Sequence, residues 1–370
     1  MMYLLDLKVY PILQNQFNQI IFYKVGLSID GGGIRGIIPA QIITYICKNL
    51  KREVHEIFDV VGGTSIGGIL ALGVTGTLDG KNPVSRGVDL VQFFEDHGNQ
   101  IFNKSKIVAI WNNLRDKSKY DPVGIESILK KNFQNCKLSD IVKGTNVICT
   151  AVKRENIQGK NMAKIFRSKE AVFNPNKNFF MKDVARATSA APTYFPSAEI
   201  KNINGTKKYS LIDGALGQNN PSKLVLDDIK TEAMNSGDEK KFFLLSLGTG
   251  QPIAGSQISQ NAGLFNLVPI MQSLGNGALA YLDKDVEKSA EGQYLRIDPE
   301  IPLKQSEADL DNNDTRIIEI YKQYSLNEAV LKLSHQHIYG PFYDQNLIEW
   351  LAENTARKKI LMFDFLNYLF

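Results

Sequence analysis

Short apolar runs that end in glycine-rich turns, each followed by a helical pattern, recur along the chain from Val25 onward. VGLSID, residues 25–30, predicts a buried strand. IIPAQIITYICKNL, residues 37–50, predicts a helix because its apolar positions 38, 42, 43, 46 and 50 share one face. The pattern returns in four later segments: IFDVVGG (57–63), IGGILALGV (66–74), NVICTAV (146–152) and KFFLLSLGTG (241–250). Strands that alternate with helices predict an α/β fold with a largely parallel sheet.

Three polar stretches interrupt this pattern and are predicted to be surface connections. They are residues 231–241, 251–263 and 306–316. None of them marks a clean domain boundary, because apolar strand or helix patterns resume after each one.

The composition is that of an ordinary globular protein, with 43% apolar and 22% charged residues among 370. The net charge of +4 permits contact with an anionic surface, and we expect no nucleic-acid partner. Three cysteines, Cys47, Cys136 and Cys149, favour a reducing compartment over a disulfide framework. No run reaches the roughly 18 apolar residues of a membrane span, and the first residues lack the features of a signal peptide. We therefore expect a cytoplasmic protein that can act peripherally at membranes.

The second glycine turn, GGTSIGG (62–68), has the composition of a nucleophile elbow. Its centre reads G-x-S-x-G, with Ser65 between Gly63 and Gly67 and with a predicted strand before it and a helix after it. In that context the serine stands at a helix N-terminus, where the helix dipole favours developing negative charge. The alternative is a glycine-rich turn with a capping serine.

The first glycine turn can hold a negative charge in either of two ways. Gly31, Gly33 and Gly36 spell the dinucleotide fingerprint G-x-G-x-x-G, with Glu53 about 20 residues further on. Alternatively, the backbone N–H groups of Gly31, Gly32, Gly33 and Ile34 can converge on the oxyanion of an ester under attack by Ser65. The dinucleotide interpretation leaves the serine elbow that follows unexplained.

The base for such a serine is either a histidine or an aspartate. None of the four histidines, His55, His97, His335 and His337, lies in a recognisable catalytic setting. Asp213 ends an apolar run and precedes Gly214, so it can act on the serine directly. Asp-Gly is also a common hairpin turn pair, which is the structural alternative.

Four motifs together resemble the patatin-like phospholipases, in that family's order and at roughly its spacing. They are SIDGGGIRGIIPA (28–40), GTSIGG (63–68), ARATSAAPTYFP (185–196) and LIDGALGQNNP (211–221), and LLSLGTG (244–250) extends the match. The resemblance implies a three-layer α/β/α fold and a Ser–Asp dyad formed by Ser65 and Asp213. It also implies an oxyanion hole in the loop from Gly31 to Arg35, with Arg35 at the family's basic position.

The resemblance further implies a calcium-independent lipid acyl hydrolase that cleaves glycerolipid esters at a membrane or micelle. We expect no cofactor and no metal, and the sequence leaves the oligomeric state open. The rivals are a dinucleotide-binding oxidoreductase and a non-catalytic membrane-associating module. Within the hydrolase class, a membrane-degrading anti-phage effector is a further hypothesis.

The resemblance also divides the chain into three parts. Residues 1–24 form an N-terminal extension, residues 25–222 the catalytic core, and residues 223–370 a part that packs on or extends that core. The last segment, ARKKILMFDFLNYLF (356–370), is basic and then apolar. It either packs on the core or lies in the membrane interface as an anchor.

Overall fold

The computed structural model describes residues 23–101, 121–156, 163–237, 241–254, 284–291, 293–304, 307–335 and 346–369. The strands within these ranges are β1 (Lys24–Ile29), β2 (Val60–Thr64), β3 (Asn146–Lys153), β4 (Ala163–Arg167), β5 (Ala198–Lys201), β6 (Lys208–Asp213), β7 (Phe242–Leu247), β8 (Gln251–Ala254), β9 (Tyr294–Ile297) and β10 (Glu300–Lys304). The helices are α1 (Ile37–Leu50), α2 (Val54–Ile57), α3 (Ile66–Thr75), α4 (Leu90–Ile101), α5 (Val123–Phe133), α6 (Ser168–Phe173), α7 (Met181–Thr188), α8 (Ala215–Gln218), α9 (Ser222–Asn235), α10 (Thr315–Ala329) and α11 (Leu347–Leu369).

The central sheet has the strand order β5-β6-β3-β2-β1-β7-β9, with β4 also paired to β3. The pairs β1–β2, β1–β7, β2–β3 and β7–β9 are parallel, whereas β3–β4, β3–β6 and β5–β6 are antiparallel. β8 and β10 form a separate parallel pair. The prediction of a largely parallel α/β sheet is confirmed.

Helices cover both faces of this sheet. In β1, Val25, Leu27 and Ile29 point to the face that packs on α1, α3 and α7. The opposite face is covered by α9, whose Val225 and Ile229 lie where a side chain at Gly26 would stand. Because successive strand residues face opposite sides, this alternation requires two helical layers. The predicted three-layer α/β/α fold is confirmed.

Four predicted boundaries were wrong. The strand predicted from Ile57 begins at Val60, because Val54–Ile57 form the short helix α2, where Glu53 and Glu56 make a capping box. The connection predicted from residue 231 is helical as far as Asn235, since α9 keeps Ala233 buried on its sheet-facing side. The connection predicted from residue 251 likewise starts with β8, and α10 begins at Thr315.

The C-terminal part of the chain contributes to the same sheet. β7 pairs with β1 over six residues, from Lys24–Phe242 to Ile29–Leu247, and β9 pairs with β7. Residues 1–22 of the N-terminal extension lie outside the described residues. The apolar side chains of the last segment, on which the interfacial-anchor hypothesis rests, also lie outside the described ones. Among the described helices, none combines the length and apolarity that a membrane crossing needs.

Candidate active site

The carboxyl ends of the central strands converge on one edge of the sheet. Gly31 follows β1, Ser65 follows β2, Thr249 follows β7 and Asp298 follows β9. Because these strands are parallel, the residues that follow them gather at the same edge, which is where open α/β sheets usually carry their sites.

Asp213 reaches this edge from an antiparallel strand. Thr150 of β3 pairs with both β2 and β4, and Ala151 pairs with both β4 and β6. A strand has two edges, so β2 and β6 must lie along the same edge of β3, opposite β4. The residue after β2 is Ser65 and the last residue of β6 is Asp213, so the two strand ends meet.

Ser65 stands on a strained turn. Its backbone has φ 55° and ψ −125°, a combination that non-glycine residues rarely adopt. The flanking glycines allow the turn to be this tight, because a Cβ on Gly63 would meet the backbone of Gly67, and one on Gly67 would meet the backbone of Ile29 and Asp30. The Ser65 hydroxyl Oγ donates to Asp213 Oδ2 at 2.7 Å. The structure therefore brings together the serine and the aspartate that the sequence singled out.

Burial changes the chemistry of Asp213, whose side chain is 3% exposed. Loss of water raises the pKa of its carboxyl to about 7, although hydrogen bonds from the Ala215 amide and the Ser65 hydroxyl act in the opposite direction. The Ala215 amide donates to Asp213 Oδ1 at 2.8 Å, so the other oxygen, Oδ2, faces the serine. A carboxylate with this pKa is a stronger base than one in water.

A threonine that sequence reasoning missed holds the elbow in place. The Ser65 amide donates to Thr188 Oγ1 at 2.8 Å, and that hydroxyl donates to the Thr150 carbonyl at 2.7 Å. Thr188 ends α7 and lies in the motif ARATSAAPTYFP, which marked the segment without identifying this side chain.

The glycine loop after β1 lines the same space as Ser65, but its amides differ in what they already bind. The Ile34 amide donates to the Leu310 carbonyl at 2.8 Å, and the Arg35 amide donates to the Gly32 carbonyl at 3.1 Å. The Gly31 amide donates to the Asn219 carbonyl at 3.4 Å, whereas the amides of Gly32 and Gly33 have no acceptor among the described residues. Of the four main-chain amides predicted to form an oxyanion hole, those of Gly32 and Gly33 are therefore the ones left available to a ligand.

Arg35 is buried, with only 9% of its surface exposed. One guanidinium nitrogen, Nη1, donates to the Gly250 carbonyl at 3.3 Å. Within the described part of the chain, its Nε is buried without a hydrogen-bond partner. Burial lowers the pKa of this guanidinium, while nearby Tyr321 and Asp298 act to raise it.

A second arginine joins three of the strand ends. Arg296 on β9 contacts Asp30 Oδ2 at 2.7 Å and Asp298 Oδ2 at 3.1 Å, and it also donates to Ser246 Oγ at 2.8 Å. Asp30 is 2% exposed and the Arg296 side chain 14%, so this ion pair is largely shielded from water. Sequence reasoning missed Arg296 because it lies 266 positions from its partner.

The residues named for the rival mechanisms lie elsewhere. Glu53, the acidic residue about 20 positions after the G-x-G-x-x-G fingerprint, accepts hydrogen bonds from Arg86 Nε and the Gly87 amide. His55 is on α2, and the His97 ring packs edge-on against Phe93 at 5.2 Å. Neither histidine lines the cavity, whereas the side chains of His335 and His337 lie outside the described ones. Among the described residues, no cluster of metal-ligating side chains is present.

A cavity open to solvent, about 1230 Å³ including that open space, surrounds the candidate dyad, and both apolar and polar residues line it. The apolar lining includes Ile66, Ile69, Ile101, Ile125, Ala191, Pro192, Phe195 and Leu216. The polar lining includes Asp30, Arg35, Asn219, Thr249, Gln251 and Asp298. Ser65 and Asp213 also line the cavity, together with Gly31, Gly32 and Gly33.

The fold and this geometry define the class first: a three-layer α/β/α protein in which a serine on an elbow turn faces a buried carboxylate. A family model described as patatin-like phospholipase matches residues 27–226, which is more than half of the chain. The chain belongs to this family, so the resemblance found in its motifs is confirmed.

Several plant proteins are similar to this chain. Patatin-like protein 2 of rice (Oryza sativa subsp. indica) is 32% identical over 249 residues, 60% of this chain and 60% of the rice protein's own length. Patatin-like protein 2 of Arabidopsis thaliana is 31% identical over 308 residues, 73% of this chain and 74% of that protein. A patatin of Solanum tuberosum is 26% identical over 364 residues, 90% of each chain.

Among solved structures, the human GIVD cytosolic phospholipase A2 matches with a TM-score of 0.41 and 10% identity. The match covers 95% of this chain and 65% of the human protein.

Proposed function

We propose that this protein is a lipid acyl hydrolase of the phospholipase A type. The observation that carries the proposal is the 2.7 Å hydrogen bond from the Ser65 hydroxyl to Asp213, made at a strained strand-to-helix turn. Backbone strain of this kind persists only where the surrounding structure enforces it, and it is concentrated at functional sites. Membership of the patatin-like phospholipase family supports the same assignment.

In the proposed reaction, Ser65 Oγ attacks the carbonyl carbon of a fatty-acyl ester while Asp213 Oδ2 accepts the hydroxyl proton. The tetrahedral intermediate collapses when the ester bond breaks, and the lysolipid leaves with that proton. Water then attacks the acyl-enzyme, again losing its proton to Asp213, and the fatty acid is released with Ser65 restored. The raised pKa of Asp213 suits a group that must both accept and return a proton.

The amides of Gly32 and Gly33 are the proposed donors to the oxyanion that forms in each step. Preorganised donors of this kind are typically worth about 3–4 kcal/mol of transition-state stabilisation each. We propose that Arg35 assists by placing a buried positive charge at the same cavity.

The mixed lining of the cavity supports a glycerolipid as the substrate. We propose that an acyl chain contacts the isoleucines of the apolar lining, and that the glycerol and head group face Arg35, Asn219 and Gln251. Such a substrate sits in a membrane or micelle, so we propose a cytoplasmic enzyme that acts peripherally at lipid surfaces.

Labelling with a fluorophosphonate probe tests the nucleophile, because only an activated serine reacts readily. We expect wild-type protein to be labelled and to hydrolyse p-nitrophenyl butyrate, and Ser65→Ala to lose both, with turnover below about 1% of wild type. Ser236→Ala, at an exposed serine whose hydroxyl donates to the Glu232 carbonyl, is the matched control and should stay fully active. An active, labelled Ser65→Ala variant would refute the assignment.

Product analysis by mass spectrometry tests the substrate. Liposomes of mixed glycerolipids should release fatty acid and lysolipid with wild-type protein and not with Ser65→Ala. The same panel, run with and without cyclic nucleotides, tests the effector hypothesis, which predicts broad hydrolysis only when a nucleotide is present. Ester hydrolysis without lipid hydrolysis would restrict the function to soluble esters.

A further inference from the structure

The carbonyl oxygen of Gly31 accepts two side-chain hydrogen bonds. Asn219 Nδ2 and Thr249 Oγ1 each donate to it at 3.2 Å. Asn219 follows α8, whereas Thr249 follows β7 and lies beyond residue 226, where the family match ends. We call these two side chains the Gly31 clamp. A buried main-chain carbonyl is usually satisfied by one donor, whereas here both lone pairs of the Gly31 oxygen can be used by side chains from distant segments.

Peptide geometry connects this clamp to the cavity. The described chain contains no cis peptide bond, so the Gly31 carbonyl and the Gly32 amide hydrogen point to opposite sides of one rigid plane. Fixing the carbonyl therefore fixes the direction of the Gly32 N–H. This peptide lies between two glycines, which rotate more freely than other residues, so it would turn easily if nothing held its carbonyl.

Thr249 also fixes the position of the plane. A Cβ on Gly32 would meet the Thr249 side chain, so the two residues are in direct contact. Thr249 is 6% exposed, and its hydroxyl is aimed at Gly31 rather than at water. The threonine thus contacts both the carbonyl oxygen of Gly31 and the neighbouring Gly32.

We propose that Thr249, together with Asn219, is a positioning residue that orients the Gly32 amide as an oxyanion donor. This proposal rests on the proposed function, in which Gly32 binds the oxyanion. Neither side chain touches the reacting atoms; both act through the Gly31 carbonyl. With a small ester that has no head group, their contribution should appear in the transition state and not in substrate binding.

The test compares Thr249→Val, which replaces the hydroxyl by a methyl of similar size, with Thr249→Ser, which keeps the hydroxyl. With p-nitrophenyl butyrate, Thr249→Val should lower kcat about tenfold at unchanged KM, less than the loss of a whole oxyanion donor. Thr249→Ser should stay within about twofold of wild type. A trifluoromethyl ketone, which forms an oxyanion on the serine, should bind Thr249→Val about tenfold more weakly.

Thr355→Val is the matched control, because Thr355 is 2% exposed and its hydroxyl also donates to a main-chain carbonyl, that of Leu351, at 2.7 Å. It should keep the wild-type kcat and inhibitor affinity. Asn219→Ala removes the other donor and should lower kcat in the same way, so it tests the proposal even if Thr249→Val does not fold.

Three outcomes would overturn the inference: unchanged kcat in the Thr249 and Asn219 variants, an equal loss in Thr355→Val, or a rise in KM at constant kcat. They differ from a failure of the proposed function, in which wild-type protein itself neither hydrolyses esters nor reacts with a fluorophosphonate. That last result would overturn both.

Discussion

A buried carboxyl group with a raised pKa opposes folding at the pH where it is ionised, and Asp213 is such a group. Its pKa is raised to about 7 by burial, against about 3.9 for an aspartate in an unfolded chain. Below about pH 3.9 both states hold the proton and the group has no effect. As the pH rises towards 7 only the unfolded state ionises, so stability falls, and above 7 the full destabilisation is present.

Asp213→Asn should therefore gain stability relative to wild type as the pH rises. Between pH 4.5 and pH 8, its advantage in the free energy of unfolding should grow by on the order of 2–3 kcal/mol. Urea unfolding of both proteins at the two pH values measures it. The same variant should lose nearly as much activity as Ser65→Ala, and the double variant little more. A difference in stability that does not change with pH would contradict the raised pKa.

Replacing histidines separates a Ser–Asp dyad from a Ser–His–Asp triad. The raised pKa of Asp213 places the acid limb of the pH–rate profile near 7, where a histidine would also titrate, so the profile alone does not discriminate. His55→Gln, His97→Gln, His335→Gln and His337→Gln should each keep turnover within about tenfold of wild type, because a dyad has no imidazole proton carrier. A folded variant that loses around a thousandfold would indicate a triad.

At the residue scale, the sequence indicated the side chains that carry a recognisable motif, Ser65 and Asp213. It did not indicate Thr188, which accepts from the Ser65 amide, nor the residues that contact the glycine loop and Asp30: Asn219, Thr249 and Arg296. Each of these four makes a hydrogen bond or ion pair with a residue more than 100 positions away. Motif composition carries no information on such pairs. Arg35 was placed in the right loop, but its burial depends on packing against distant segments.

At the scale of elements, helix α1 and strand β1 were predictable because one apolar face decides each of them. The meeting of β2 and β6 along one edge of β3 was not, because pairing between strands depends on residues far apart in the chain. Asp213 could be identified as a candidate from LIDG, yet only the register Ala151–Asp213 explains how it reaches Ser65.

A prediction at the scale of elements concerns the tight turn between β2 and α3, where Gly63 and Gly67 flank Ser65. Gly67→Ala should abolish activity and destabilise the protein, because its Cβ would meet the backbone oxygens of Ile29 and Asp30, which cannot move without distorting β1. Gly98→Ala is the matched control. Gly98 lies within α4, where its Cβ would make an ordinary 3.4 Å contact with Ile34, so the change should stabilise by roughly 0.5–1 kcal/mol. Thermal unfolding and ester hydrolysis measure both, and an active Gly67→Ala would contradict the tight turn.

At the scale of the whole molecule, the sequence predicted the layers but not how much of the site comes from the C-terminal part. The predicted core, residues 25–222, contains the elbow, the glycine loop and Asp213. β7 and β9 lie beyond it, yet they continue its sheet and bring Thr249, Arg296 and Asp298 to the cavity edge. Both parts of the chain therefore contribute polar residues to the lining of the cavity.

Arg296 on β9 allows a test of the contact between the C-terminal strands and the start of the glycine loop. Arg296→Met removes the cation that contacts Asp30 and Asp298, and breaking a buried ion pair by deleting one partner typically costs about 3–5 kcal/mol. Urea unfolding should show this loss, together with reduced ester hydrolysis, because Asp30 begins the glycine loop. Arg316→Met is the control, since the Arg316–Glu307 pair is exposed and such pairs contribute about 0–1 kcal/mol. Equal stability of the two variants would mean that Arg296 does not join the C-terminal strands to the glycine loop.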